Sequence, residues 1–158
     1  MIELETALRS LTANKVDFVF IGGAAITAYV TQDLDFCYSR TPGNLARIVA
    51  ALAPFKPRLR GFPEELPFFW DERTLLNGTN FTLITTLGSI DLLGEVPGVG
   101  NYDYVSSRAV EMQICEINVR VISLDDLIDA KRTAGRTKDQ LVLPELEALR
   151  EALDPKED

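Results

Sequence analysis

The sequence predicts an α+β fold, a mixed sheet with helices packed on it, and three observations carry that prediction. Short β-branched and aromatic runs are interleaved with stretches whose apolar residues recur at three-and-four spacing. Their order is helix, strand, helix, strand, helix, several strands, then helices. Finally, 158 residues of which 46% are hydrophobic can close one core but not two, so residues 1–158 are expected to form a single minimal domain.

Taken in order, Leu4, Ala7, Leu8 and Leu11 fall on one helical face, and Asn14-Lys15 interrupts before the apolar strand run of residues 16–21. Gly22-Gly23 punctuates that strand and opens into residues 24–30, which favour a short helix packed tightly against it. Asp33-Leu34-Asp35-Phe36-Cys37-Tyr38 is the second strand. Thr41 offers a capping hydroxyl before Pro42 at the first helical position, and Leu45, Ile48, Val49 and Leu52 form a stripe that Pro54 ends. Pro54, Pro57, Pro63 and Pro67 make residues 54–70 an irregular segment, expected to be a loop or lid. Its trio Phe68-Phe69-Trp70 can either stack a base or pack the loop. Residues 79–87 and 89–93 read as a tight hairpin around Leu87-Gly88, and 94–107 as a further loop. Residues 110–114 and 117–122 form the final strand pair. Ser123-Leu124-Asp125-Asp126 has capping-box spacing for a helix that ends near Gly135. Thr137 can cap the last helical region, which Pro144 is expected to kink or divide.

Composition narrows the chemistry. The chain has no histidine, which excludes an imidazole base, a His-ligated zinc and a Ser-His-Asp triad, and leaves acid–base work to carboxylates. Lys+Arg number 16 against 24 Asp+Glu, a net charge of −8 that argues against a broad basic face for nucleic acid. Residues 1–70 nevertheless carry seven acids and seven bases, so local contact by a small basic patch stays open. Cys37 and Cys115 both lie among apolar neighbours and are read as reduced core residues. The N-terminus is acidic and amphipathic, and no run approaches a membrane span, so a cytoplasmic protein without a membrane partner is expected.

Three acids are candidates for the chemistry. The strand period of two sends Asp33 and Asp35 to one face while Leu34 points into the core. Two like charges that close are either left exposed at a strand end or offset by a hard divalent cation, with Mg²⁺ the natural choice. Asp91 is a carboxylate inside the otherwise apolar run Ile90-Asp91-Leu92-Leu93, where leaving it unpaired is costly. If its strand lies beside that of Asp33 and Asp35, the three acids converge and can hold two metal ions for phosphoryl or nucleotidyl transfer. Upstream, Gly22-Gly23 leaves backbone N–H groups that can face a phosphate, although close helix–strand packing also calls for glycine. Neither a dinucleotide nor a P-loop glycine fingerprint is present.

Four ordered segments together resemble one family. They are Phe18-Val19-Phe20-Ile21-Gly22-Gly23-Ala24-Ala25, Thr31-Gln32-Asp33-Leu34-Asp35-Phe36, Ser89-Ile90-Asp91-Leu92-Leu93-Gly94, and the stretch from Leu124 to Asp139 that holds Lys131, Gly135, Arg136 and Lys138. The resemblance is to the nucleotidyltransferase superfamily that includes DNA polymerase beta, and within it to small bacterial nucleotidyltransferases related to abortive-infection and toxin–antitoxin toxins. It implies a nucleotidyltransferase-like mixed sheet and a metal-dependent enzyme that moves NMP from an NTP such as ATP to an acceptor hydroxyl on a protein, an RNA such as tRNA, or a small molecule. Asp33, Asp35 and Asp91 would then be catalytic acids and ligands to a two-ion Mg²⁺ site. Gly22 and Gly23 would line the triphosphate turn, with Lys131 and Arg136 reaching phosphates and Arg40 a further candidate. Two features set the chain apart from the common pattern. Only nine residues, 24–32, separate the double glycine from Asp33, and Gly23 stands where many active members have serine, so a hydroxyl contact to phosphate falls to Thr27 or Thr31. The same fold without catalysis, as a binding or regulatory member of a toxin–antitoxin-like pair with an antitoxin partner, is the alternative.

Overall fold

The computed structural model describes residues 2–22 and 33–153; the helix expected over residues 24–30 lies outside them. Helix α1 (Ile2–Ala13) buries all four residues of its sequence stripe and leads into β1 (Phe18–Phe20), which is buried throughout. Strand β2 (Asp33–Tyr38) pairs antiparallel with β1, Phe20 standing opposite Phe36. Helix α2 (Pro42–Leu52) follows, then a 3₁₀ turn (Ala53–Phe55), the short strand β3 (Arg58–Leu59) and helix α3 (Glu72–Leu76). Strands β4 (Asn80–Thr85) and β5 (Gly88–Leu93) form the expected hairpin, its turn made by Thr86-Leu87. Strands β6 (Glu95–Val96) and β7 (Gly100–Asn101) make a separate two-stranded ribbon before helix α4 (Tyr102–Arg108). The hairpin β8 (Val110–Ile114) and β9 (Ile117–Val121), and helices α5 (Leu124–Ala134) and α6 (Thr137–Leu153), complete the described chain.

Seven strands share one sheet in the order β3-β4-β5-β2-β1-β9-β8. The β2–β5 and β1–β9 pairs are parallel and the rest antiparallel, so the fold is α+β with a mixed sheet, as the sequence predicts. Alternation along the central strands gives the sheet two unlike faces. Leu34, Phe36, Leu83, Ile90 and Leu92 all go to the buried face, where Phe18 and Phe20 stack against Phe36 at 5.6 and 5.5 Å. Asp35 and Asp91 go to the other. No helix among the described residues is long and apolar enough to cross a membrane.

Polar clasps fix the ends of the strands. Asn44, fully buried in α2, accepts from Asp17 N (2.7 Å) and donates to the carbonyls of Asp17 (3.1 Å) and Ser39 (2.7 Å). A buried amide satisfied in this way ties α2 to the start of β1 and the end of β2 at once. Asp126, 1% exposed, takes the Nε of Arg108 on both oxygens (3.1 and 3.0 Å) and so joins α5 to α4.

Several local expectations are corrected. Thr41 makes no capping hydrogen bond; its extended backbone simply hands the chain to Pro42 at the first position, and Pro's fixed φ starts the helix. Residues 94–107 are not all loop, because Asn101 accepts from Tyr104 N (3.1 Å) and so caps α4, a signal hidden among the glycines. The segment 54–70 is irregular as expected apart from β3, and Trp70 donates to Val49 O (3.0 Å), so Trp70 packs the loop. Ser123 and Gly135 cap α5 as predicted, Ser123 by accepting from Asp126 N and Gly135 in the left-handed region. Pro144 lies inside α6 without dividing it. Cys37 is core, and burial pushes its thiol up to about 12. Cys115, by contrast, is only half-buried, in the β8–β9 turn.

That turn is a two-residue connection in which Cys115 (φ 53°) and Glu116 (φ 65°) both adopt left-handed backbone without being Gly or Asn. Relief of that cost should be measurable. Replacing Glu116 by Gly is expected to stabilise the protein by about 0.5–1 kcal/mol, raising the thermal midpoint by roughly 2–4 °C on a circular-dichroism melt; a lowered midpoint would contradict the assignment of strain to this turn.

Candidate functional site

The parallel register of β2 on β5 builds the site. Asp33 stands opposite Ser89, Leu34 opposite Ile90 and Asp35 opposite Asp91. Partners across a parallel ladder share a face, so the hydrophobic partners go into the core together and the two carboxylates emerge together. Both are half-buried. The sequence places one acid in each strand by alternation alone; the register then sets them on the same rung. Asp33 occupies the first position of β2, and its side chain lies outside the description.

The backbone of residues 21–22 runs beside this pair, since Ile21 N donates to Asp35 O (2.9 Å). Gly22 is buried there. A Cβ at this position would collide with the ring of Phe20, lying 2.6 Å from its Cε2, so close packing alone demands glycine at 22. Gly23, Thr27 and Thr31, the other residues expected on a triphosphate, lie outside the described residues.

Lys131 and Arg136 converge from the α5–α6 junction, and both are tied to Asp139. Asp139 is fully buried. It accepts from Arg136 Nε (2.7 Å), Nη2 (3.3 Å) and backbone N (3.2 Å), and lies 3.3 Å from Lys131 Nζ. Burial pushes the Asp139 carboxyl up, but the Arg136 hydrogen bond and the charges of Lys131 and Arg136 outweigh it and hold the group below its ordinary value. Arg136 in turn is raised, first by its hydrogen bond to Asp139 and then, against burial, by the charges of Asp139, Asp35 and Asp91. The guanidinium thus feels both acids of the β2–β5 rung. Gly135 makes this possible, because its left-handed turn (φ 62°) ends α5 and brings Arg136 and Asp139 into the same corner as Lys131.

Arg40 is committed elsewhere. Its Nη1 donates to Tyr38 Oη (2.6 Å) and Leu75 O (3.0 Å) at the far end of β2, beside a cavity of about 310 Å³ bounded by Ser39, Asn101 and Tyr102. Among the described residues, no three His, Cys, Asp or Glu side chains gather closely enough to hold a metal ion. The described part of the acid site is therefore the pair Asp35 and Asp91 with Arg136 as the neighbouring cation. No family model matches the chain, and no curated protein matches it either.

The Asp139 corner makes a prediction of its own. A carboxyl depressed in the folded state stabilises above its ordinary value of 3.8 and loses that contribution as pH falls below it. Asp139→Asn is expected to cost about 2 kcal/mol at pH 7, less than a fully buried pair because Arg136 is half-exposed, with the cost shrinking near pH 3. Urea unfolding of both proteins at the two pH values measures it; an equal gap at both would show that the carboxylate charge is not what the corner relies on.

Proposed function

We propose that the protein is a metal-dependent nucleotidyltransferase that moves a nucleoside monophosphate from an NTP to an acceptor hydroxyl. One observation carries the reading: Asp35 and Asp91 lie opposite each other on adjacent parallel strands, on the sheet face opposite Phe36 and Leu92. Two carboxylates about one strand spacing apart repel, by roughly 3 kcal/mol at an effective dielectric near 20, and a divalent cation offsets that repulsion while taking their oxygens as ligands. Asp35 and Asp91, with Asp33 at the start of the same strand, are a hard oxygen donor set of the kind Mg²⁺ selects. When bound, Mg²⁺ supplies charge neutralisation for the triphosphate and the leaving group.

The chain's own residues do the rest. A carboxylate oxygen of Asp91 takes the proton of the acceptor hydroxyl as its oxygen bonds to the α-phosphorus; the bond from that phosphorus to the β-phosphate oxygen breaks and pyrophosphate leaves. Arg136, held by Asp139 together with Lys131, supplies the positive charge for the phosphates. The backbone at Gly22, beside Asp35, is the segment that would line the triphosphate. A cytoplasmic setting supplies both NTP and magnesium and keeps the two thiols reduced.

The bonds of Lys131 and Arg136 to Asp139 support one other reading, in which these cations are structural and the protein is a binding or regulatory member of a toxin–antitoxin-like pair. Incubation with α-labelled NTPs, Mg²⁺ and a panel of cell RNA and protein separates the two. The wild type is expected to transfer label, and Asp35→Asn to reduce transfer about 100-fold or more with its thermal midpoint retained. Undiminished transfer by Asp35→Asn would overturn the catalytic assignment, and nucleotide binding without any transfer would favour the regulatory one.

A further inference from the structure

The strand pair that carries the acids ends at a second feature. Where β2 and β5 stop, at Tyr38 and just before Gly94, a cavity of about 310 Å³ opens toward the start of α4, lined by Ser39, Arg40, Thr41, Asn101, Tyr102 and Asp103. Tyr38 and Gly94 each stand three residues past the acid rung, about 10 Å along the strands, so the cavity is separate from the Asp35–Asp91 pair.

Arg40 is fixed in the cavity wall. Its Nη1 donates to Tyr38 Oη (2.6 Å) and Leu75 O (3.0 Å). Its stem lies against the end of β5, where a Cβ on residue 94 would stand 2.9 Å from Arg40 Cδ, so glycine at 94 gives the arginine its place. Among the described residues those bonds use Nη1 alone, which leaves the Nε–Nη2 edge of an oriented, half-buried guanidinium to take a planar carboxylate in two parallel hydrogen bonds. Asn101 adds a donor: its Oδ1 accepts from Tyr104 N (3.1 Å), which fixes the amide and leaves Nδ2 to donate. Asp103 lines the same cavity, is exposed, and forms no ion pair with Arg40. A cation and an anion that share one cavity without neutralising each other match the two ends of a zwitterion.

We propose that this cavity binds a small zwitterion of the amino-acid class, its carboxylate on the Nε–Nη2 edge of Arg40 and its ammonium on Asp103. The proposal stands apart from the transferase reading, since none of these residues belongs to the acid rung. Phosphate fits less well: an anion of about two charges is repelled by Asp103 while Arg40 attracts it, whereas a carboxylate that brings its own ammonium satisfies both groups. The volume lies at the lower end of the roughly 300–1,000 Å³ that small-molecule sites span, which suits a ligand of amino-acid size.

Titration calorimetry of the full chain with free amino acids, their carboxamides, the matching deamino carboxylic acids and inorganic phosphate tests this. At least one amino acid is expected to bind with a Kd of about 1 mM or tighter. Its amide, which lacks the carboxylate, is expected to bind about tenfold more weakly, and its deamino acid, which lacks the ammonium, about fivefold more weakly, the exposed Asp103 contributing less than the half-buried Arg40. Asp103→Asn is expected to keep the thermal midpoint, to lower amino-acid affinity by about fivefold and to leave deamino-acid affinity undiminished. Amino acids that fail to bind at about 10 mM, a deamino acid that binds as tightly as its amino acid, phosphate that binds more tightly than every amino acid, or undiminished amino-acid affinity in Asp103→Asn would each overturn the proposal.

Discussion

Two carboxylates held on one rung of a parallel ladder are the constraint around which this molecule is organised. Backbone hydrogen bonding between β2 and β5 fixes the two positions from which they project. The hydrophobic partners on either side make the register hard to slip: a shift by one residue would drive Asp35 and Asp91 into the core and Phe36 and Leu92 out of it. The core therefore holds the two acids side by side on the opposite face. Such a feature, maintained by packing and costly in itself, is characteristic of a binding or reacting site more than of a stabilising one.

The surrounding structure manages the repulsion between the two acids in layers. Arg136 interacts electrostatically with both acids, but its direct bonds go to Asp139, which is fully buried and also holds Lys131. The Asp139 corner carries one net positive charge, two cations less one carboxylate. Asn44 and the Arg108–Asp126 pair act at a distance from this corner, anchoring α2 and α4 to the ends of β1, β2 and α5, so that the rung is presented by rigid elements.

Much of this was legible in the residues. Alternation in Asp33-Leu34-Asp35 and in Ile90-Asp91-Leu92 announces acids opposite apolar residues, and the capping signals at Ser123 and Gly135 locate α5. What local pattern does not contain is pairing. That β5 would lie parallel to β2, and in which register, depends on long-range contacts to which neither strand testifies alone. Asp139 was readable only as one of several acids near basic residues, since its burial arises from the turn at Gly135 and the packing of α6 on α5. Strand β3 is not legible in the sequence because it is two residues long and sits among prolines, where local pattern argues for loop. Asn101 shows the same limit on a smaller scale: a cap between glycines resembles a turn residue until the helix after it is seen.

The central claim is that the Asp35–Asp91 rung creates a demand for a divalent cation that nucleotide binding answers. Titration calorimetry of NTP into the wild type and Asp91→Asn, each with Mg²⁺ and with chelator, addresses it without requiring the acceptor. The account predicts that Mg²⁺ tightens nucleotide binding by the wild type and that this gain disappears in Asp91→Asn. Nucleotide affinity that is the same with Mg²⁺ and with chelator, or a gain that survives in Asp91→Asn, would contradict it.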